Sequence, residues 1–207
     1  MHVFRPEPEP VSDPAIYLAT DGLPAELWRG VEIALAGFVP GERLCFEGGE
    51  ADWEEWCTGR FALEMAPQVI AAREAGDLGV RDWAEIDTAF AARFGNLPGA
   101  ERSLRAGRAL ADIHIGARHF QMLDRLRRTL EKDPKAGHAA AVVAFLSAQF
   151  NVATTACLVA SLFLEWRAAF PELPERAFEP MTPKLGSWLP VWLRARTFPA
   201  LQSPPAG

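Results

Sequence analysis

Apolar positions recur along this chain mostly at three- and four-residue spacing, and the breaks between these runs fall at proline and glycine. In PAELWRGVEIALAGF, Leu27, Val31, Ile33, Ala34 and Phe38 fall roughly on one helical face. Pro24 is placed to open that helix, and Gly37 and Pro40 to close it. A Gly/Glu loop around Phe46–Gly49 follows. Asp52 then stands where an N-cap belongs, with Glu55 three residues on as in a capping box. The helix it would cap carries Trp53, Trp56, Phe61, Leu63 and Met65 before it meets Pro67, which either kinks it or begins a new helix, PQVIAAREAG. A fourth segment, VRDWAEIDTAFAARFG, has a C-cap glycine in Gly95. Pro98 introduces a long polar helix from about Ala100 to Glu131, weakened by Gly107 and Gly116, which are placed to divide it. Pro183 can begin a last helix, PKLGSWLPVWLRARTF, strained by Pro190.

The run from Ala139 to Leu164 stands apart, with 26 residues and no formal charge. That is long enough to span a bilayer. Much of its apolar content is only alanine, however, and it contains Ser147, Gln149, Asn151, Thr154, Thr155 and Ser161. With amphipathic helices on either side to cover it, the stretch reads as the core helix of a bundle. Ser147, Asn151, Thr154 and Ser161 share one stripe, and buried amides and hydroxyls need partners. A neighbouring helix would supply them in a plain bundle. A ligand pocket lined by Gln149, Asn151, Thr154 and Thr155 is the functional alternative.

These elements predict an all-α, single-domain bundle of about six to seven helices around a buried central helix at about 139–164. No period-2 run demands a sheet, and no internal repeat appears. The domain is expected over 15–200, with an extended Pro/Glu-rich arm at 1–14 and a loose tail at 201–207. The opening residues lack the apolar core of a signal peptide. A chain of 207 residues buries enough surface, roughly 70% of the unfolded total, to fold without metal or disulfide.

Composition adds a few constraints. Cys45, Cys57 and Cys157 share no CxxC spacing and read as reduced thiols in a cytoplasmic protein. No metal site and no cofactor are expected. The net charge of −6 divides into −11 for residues 1–100 and +5 for residues 101–207. An acidic chain of this kind argues against nucleic-acid binding. The seven arginines between Arg102 and Arg128 predict a solvated basic face, or one that meets the acidic run Glu47–Glu55 within the fold.

Candidate chemistry is sparse. His114 and His119 are five residues apart, which does not suit two metal ligands on one helix face. Either one remains a candidate haem ligand or general base. Trp53 with Trp56, and Trp188 with Trp192, are spaced to share a face, and Arg194 and Arg196 follow the second pair. Tryptophan and arginine are enriched at binding hot spots, so these six residues are the partner-binding candidates. A peripheral membrane contact through the C-terminal segment is a lesser option. No GxSxG, Walker loop or dinucleotide fingerprint is present. The expectation is therefore a non-catalytic accessory, adaptor or assembly-chaperone protein that binds another protein or its own copy. The alternative is a helical-bundle enzyme or cofactor-binding protein with its pocket beside the central helix.

Overall fold

The computed structural model describes residues 23–94, 99–117 and 120–194. The arm at 1–14, the tail at 201–207, Gly95, His119 and Arg196 lie outside the described residues. Within them every regular element is helical, as the hydrophobic spacing predicts. The longer helices are α1 (Ala25–Leu35), α3 (Ala66–Leu78), α4 (Val80–Phe94), α5 (Ala100–Ala117), α6 (Gln121–Lys132), α7 (Ala139–Gln149), α8 (Thr154–Ala169) and α10 (Leu185–Arg194). Two single turns, α2 (Trp53–Trp56) and α9 (Phe178–Met181), complete the set.

The uncharged segment is the centre of the molecule, but in two pieces. Its helix stops at Gln149 and restarts at Thr154. Between them Asn151 adopts a left-handed backbone with φ of 55°. Asparagine accepts that conformation more readily than most residues because its short amide can bond locally. The turn closes with the amides of Phe150, Asn151 and Val152 donating to the carbonyls of Leu146, Ala148 and Ser147. Every residue from Ala139 to Ser147 is buried, as is every one from Ala156 to Trp166. α7 packs against α3, α5 and α4, and α8 packs against α1 and α3.

Small residues set the closeness of these crossings. A Cβ on Gly30 of α1 would lie 2.5 Å from Ala156 Cβ, and one on Gly76 of α3 would lie 2.8 Å from Ala148 Cβ. At Gly107 of α5 the obstacle is backbone: a Cβ would strike the Gly137 carbonyl oxygen and come within 2.7 Å of the Ala139 nitrogen. Gly107 therefore does not divide its helix. The division falls after Ala117, just beyond Gly116.

Two other junctions depart from the sequence pattern. Pro67 does lie at the start of α3, yet no gap separates α3 from α2. A π-helical stretch, Cys57–Met65, joins them, and the Ala66 amide reaches five residues back to the Phe61 carbonyl. Proline lacks an N–H and crowds the carbonyl four residues upstream, so a wider register lets the chain pass it without a sharp kink. Asp52 caps a different turn from the one expected. Its Oδ2 accepts the Gly49 amide at 2.9 Å, ahead of a short 3-10 turn at Glu50–Asp52, and gives α2 no side-chain cap.

Gly107→Ala is expected to destabilise the protein by about 2–4 kcal/mol, because backbone rather than a flexible side chain must move. Gly116→Ala, where a Cβ meets nothing within 4 Å, should be neutral or slightly stabilising, by up to about 1 kcal/mol. Urea unfolding of the two variants tests the contrast, and equal stabilities would refute it.

Candidate functional site

Glu165 is the first residue after the uncharged run, and α8 carries its carboxylate into the core, where the residue is 3% exposed. There Oε2 accepts the amides of Cys45 at 2.8 Å and Phe46 at 3.1 Å. These residues belong to the irregular segment between α1 and α2, so one buried side chain pins a loop to the end of a core helix. Burial pushes the Glu165 carboxyl above its usual range, and the two amides pull it partly back. The Arg102 guanidinium adds a second clamp, donating to the Leu44 carbonyl at 3.2 Å and pairing with Glu47. Arg105 pairs with Glu42 beside it. Part of the basic helix thus meets acids of this loop within the fold, one of them in the predicted run.

Beside the pin lies a cleft of about 290 Å³ lined by Pro40, Gly41, Glu42 and Arg43 on the loop and by Ala168, Ala169, Pro171 and Glu172 at the end of α8. Under the loop Phe46 packs edge-on against Trp53 with ring centroids 5.1 Å apart, and lies 5.3 Å from Trp56 and 5.9 Å from Phe170. The buried indole nitrogens of Trp53 and Trp56 have no hydrogen-bond partner among the described residues. Half-buried Cys45 sits against Glu165. Burial and that carboxylate hold its thiol well above the ordinary thiol range. A protonated thiol is a poor nucleophile. The geometry fastens the loop rather than activating a sulfur.

The other buried ionisable groups follow the same pattern. Asp87 of α4 is fully buried and accepts the amides of Gly137 at 2.6 Å and His138 at 3.3 Å. Ser103 Oγ of α5 accepts the Ala139 amide at 3.2 Å. The start of α7 is therefore capped by two other helices. Burial raises Asp87 to about 6 against these amides, and it lowers His138, whose ring lies 5.3 Å from that of Phe90. Burial likewise pushes up the thiols of Cys57, with Glu54 adding to it, and of Cys157, to about 11. Arg73 is buried too. Its Nε donates to the Val152 carbonyl at 3.1 Å and its Nη1 pairs with Asp77, securing the turn between α7 and α8.

The residues singled out by the sequence are placed as follows. His114 is 1% exposed, with Nε2 3.2 Å from the Ala34 carbonyl oxygen and its ring stacked on Phe150 at 5.2 Å. It occupies a core position between α5 and α1. Gln149 donates its amide to the Gly76 carbonyl at 2.8 Å, so a neighbour helix satisfies it. Asn151 is exposed at the turn, and Thr154 and Thr155 are half-buried at the start of α8. The polar stripe is thus interrupted by the helix break, and the structure does not gather these four side chains around one ligand position.

The tryptophans lie mostly inside. Trp53, Trp188 and Trp192 are buried and Trp56 is half-buried, so they offer a partner little surface. Trp53 stacks on Trp56 at 5.2 Å, Trp188 on Trp192 at 5.9 Å, and Trp192 meets Phe61 at 5.1 Å. The amphipathic C-terminal helix has turned its aromatic face onto its own π-helical stretch. Only Arg194 of the described partner-binding candidates is exposed.

The groups missed by sequence reading are Glu165 and Asp87. A carboxylate next to an apolar run carried a signal in Glu165. Nothing local marked Asp87, whose partners lie 50 residues on. No helix among the described residues is long and apolar enough to cross a membrane, and no trio of His, Cys, Asp or Glu there is placed to hold a metal. No protein family, curated protein or solved structure matches the chain.

Asp87 yields a pH prediction. Its carboxyl titrates at about 6 in the fold against an ordinary 3.8, so between those values the folded chain holds a proton that the unfolded chain has released. Stability from this group is present below about pH 4 and is lost as pH rises through 6. Two units correspond to about 3 kcal/mol at most. Asp87→Asn, which keeps an acceptor oxygen without the charge, is expected to match the natural protein near pH 4 and exceed its stability by about 1–3 kcal/mol at pH 7.5. Denaturant titrations at both pH values measure this. A variant less stable than the parent at pH 7.5 would show that the charge itself is needed.

Proposed function

We propose that this chain is a non-catalytic helical accessory protein, an adaptor or assembly chaperone that acts in the cytoplasm by binding another protein. One observation carries the reading. The buried carboxylates of Glu165 and Asp87 are engaged by backbone amides, and burial holds the thiols of Cys45, Cys57 and Cys157 protonated. Ionisable groups so committed maintain a shape. Large aliphatic side chains stand in water at Leu63, Leu78 and Val191, which are 74%, 72% and 62% exposed. Such residues are common singly on surfaces, and their value here is as places where a partner would bury apolar area.

A second reading, small-molecule binding, is favoured by the cleft between the 40–43 loop and the end of α8. Its volume is near the lower end for ligand pockets, which begin at about 300 Å³.

The test is affinity purification of the tagged chain at native level, with a visible-range spectrum and metal analysis of the same sample. One protein co-purifying in stoichiometric amount, or a defined homo-oligomer, is the expected result. Leu63→Glu with Val191→Glu should deplete that partner while shifting stability by no more than about 1 kcal/mol, as surface changes usually do. Stoichiometric haem, flavin or iron on the purified protein would overturn the proposal in favour of the second reading.

A further inference from the structure

The outer face of α6 carries cations that no ion pair among the described residues uses. Its inner face buries Leu123, Leu126 and Leu130. On the opposite side Arg125, Arg128 and Lys132 stand exposed at three- and four-residue spacing, with exposed Lys135 just past the helix end. These four cations make no ion pair among the described residues. Other cations of the same half of the chain are matched: Arg102 with Glu47, Arg105 with Glu42, and Arg127 with Asp124. The stripe is also held in place. Arg108 of α5 donates to the carbonyls of Leu130, Asp133 and Ala136, fastening the end of α6. At the other end Phe120 is 44% exposed.

Like charges three and four residues apart on a helix repel one another, a cost that a complementary partner would turn into attraction. We infer that this face docks an acidic segment of a partner polypeptide, with carboxylates at helical spacing and a large apolar side chain to meet Phe120. The inference rests on the protein-binding reading above and specifies its partner. A polypeptide suits the surface better than nucleic acid or an anionic bilayer. From Arg125 to Lys132 the stripe runs only about 10 Å, Asp124 and Glu131 lie on the same helix, and the chain as a whole carries −6. A polyanion extending well past the Debye length of roughly 8 Å would meet that acidic surround. A short acidic segment ends where the stripe ends.

The probe is a fluorescein-labelled Phe-Ala-Glu-Ala-Ala-Glu-Glu-Ala-Ala-Glu peptide, followed by anisotropy with the full chain at low and physiological salt. Binding that weakens with salt is expected, and the triple variant Arg125→Glu, Arg128→Glu, Lys132→Glu should lose it by at least about tenfold. Arg29→Glu with Arg176→Glu, which alters exposed cations elsewhere, should leave it unchanged. Circular dichroism and thermal melting check the folding of each variant, and Arg128→Ala with Lys132→Ala is read instead if the triple variant does not fold. No binding, equal binding by the triple variant, or tighter binding of a 20-nucleotide oligothymidylate or of phosphatidylserine vesicles would each overturn the inference. A co-purifying partner that the triple variant still retains would remove this surface and leave the protein-binding reading intact. Peptide binding at α6 with no co-purifying partner would do the reverse.

Discussion

The first amides of α7 have no acceptors within their own helix, and they lie where water does not reach them. A helix end buried in this way must be satisfied by other parts of the chain. Ser103 from α5 accepts the first of them, from Ala139, and Asp87 from α4 accepts those of Gly137 and His138 just before it; the missing Cβ of Gly107 lets α5 come this close to that backbone. The uncharged segment brings no charged group to either task. Its placement therefore fixes where α4 and α5 must stand, and through Arg108 where α6 ends. At the far end of the same segment Glu165 performs the converse service, holding a loop by its amides. The core is apolar in bulk and polar at its two ends.

This division explains what a buried charge is doing in so small a molecule. Isolated carboxylates are expensive to desolvate, and burial raises both of these above the usual carboxyl range as a result. What they give in return is direction. Two successive N–H groups converging on one carboxylate admit few backbone arrangements, whereas alanine and leucine packing against each other tolerate many.

Much of the fold was legible from spacing alone. Proline and glycine mark helix ends because they act through their own backbone, and charge depletion over 26 residues points to burial whatever covers it. The break at Asn151 was not legible, because asparagine is tolerated within helices and its left-handed turn depends on Arg73 and Gln149 reaching across to other elements. The tryptophans are ambiguous for a related reason. Pairs such as Trp188 and Trp192 make an apolar stripe of the same pattern whether it meets a partner or the body of its own domain, and only the presence of the π-helical stretch beneath decides. Asp87 shows the limit most clearly, since an aspartate on an amphipathic helix gives no sign that its acceptors serve a backbone 50 residues away.

The turn at Asn151 has a kinetic side. It makes the two most deeply buried helices neighbours in sequence, joined by only the four residues 150–153. Closing so short a connection sacrifices little chain entropy, so this hairpin, like the still tighter one between α3 and α4, is a cheap contact for the unfolded polypeptide to make. Once formed it exposes apolar surface on several sides, a template on which segments far apart in the chain can settle in any order. The innermost layer is in this sense also a local one, whereas the contacts that bind α1, α3 and α5 to it join segments far apart in the chain.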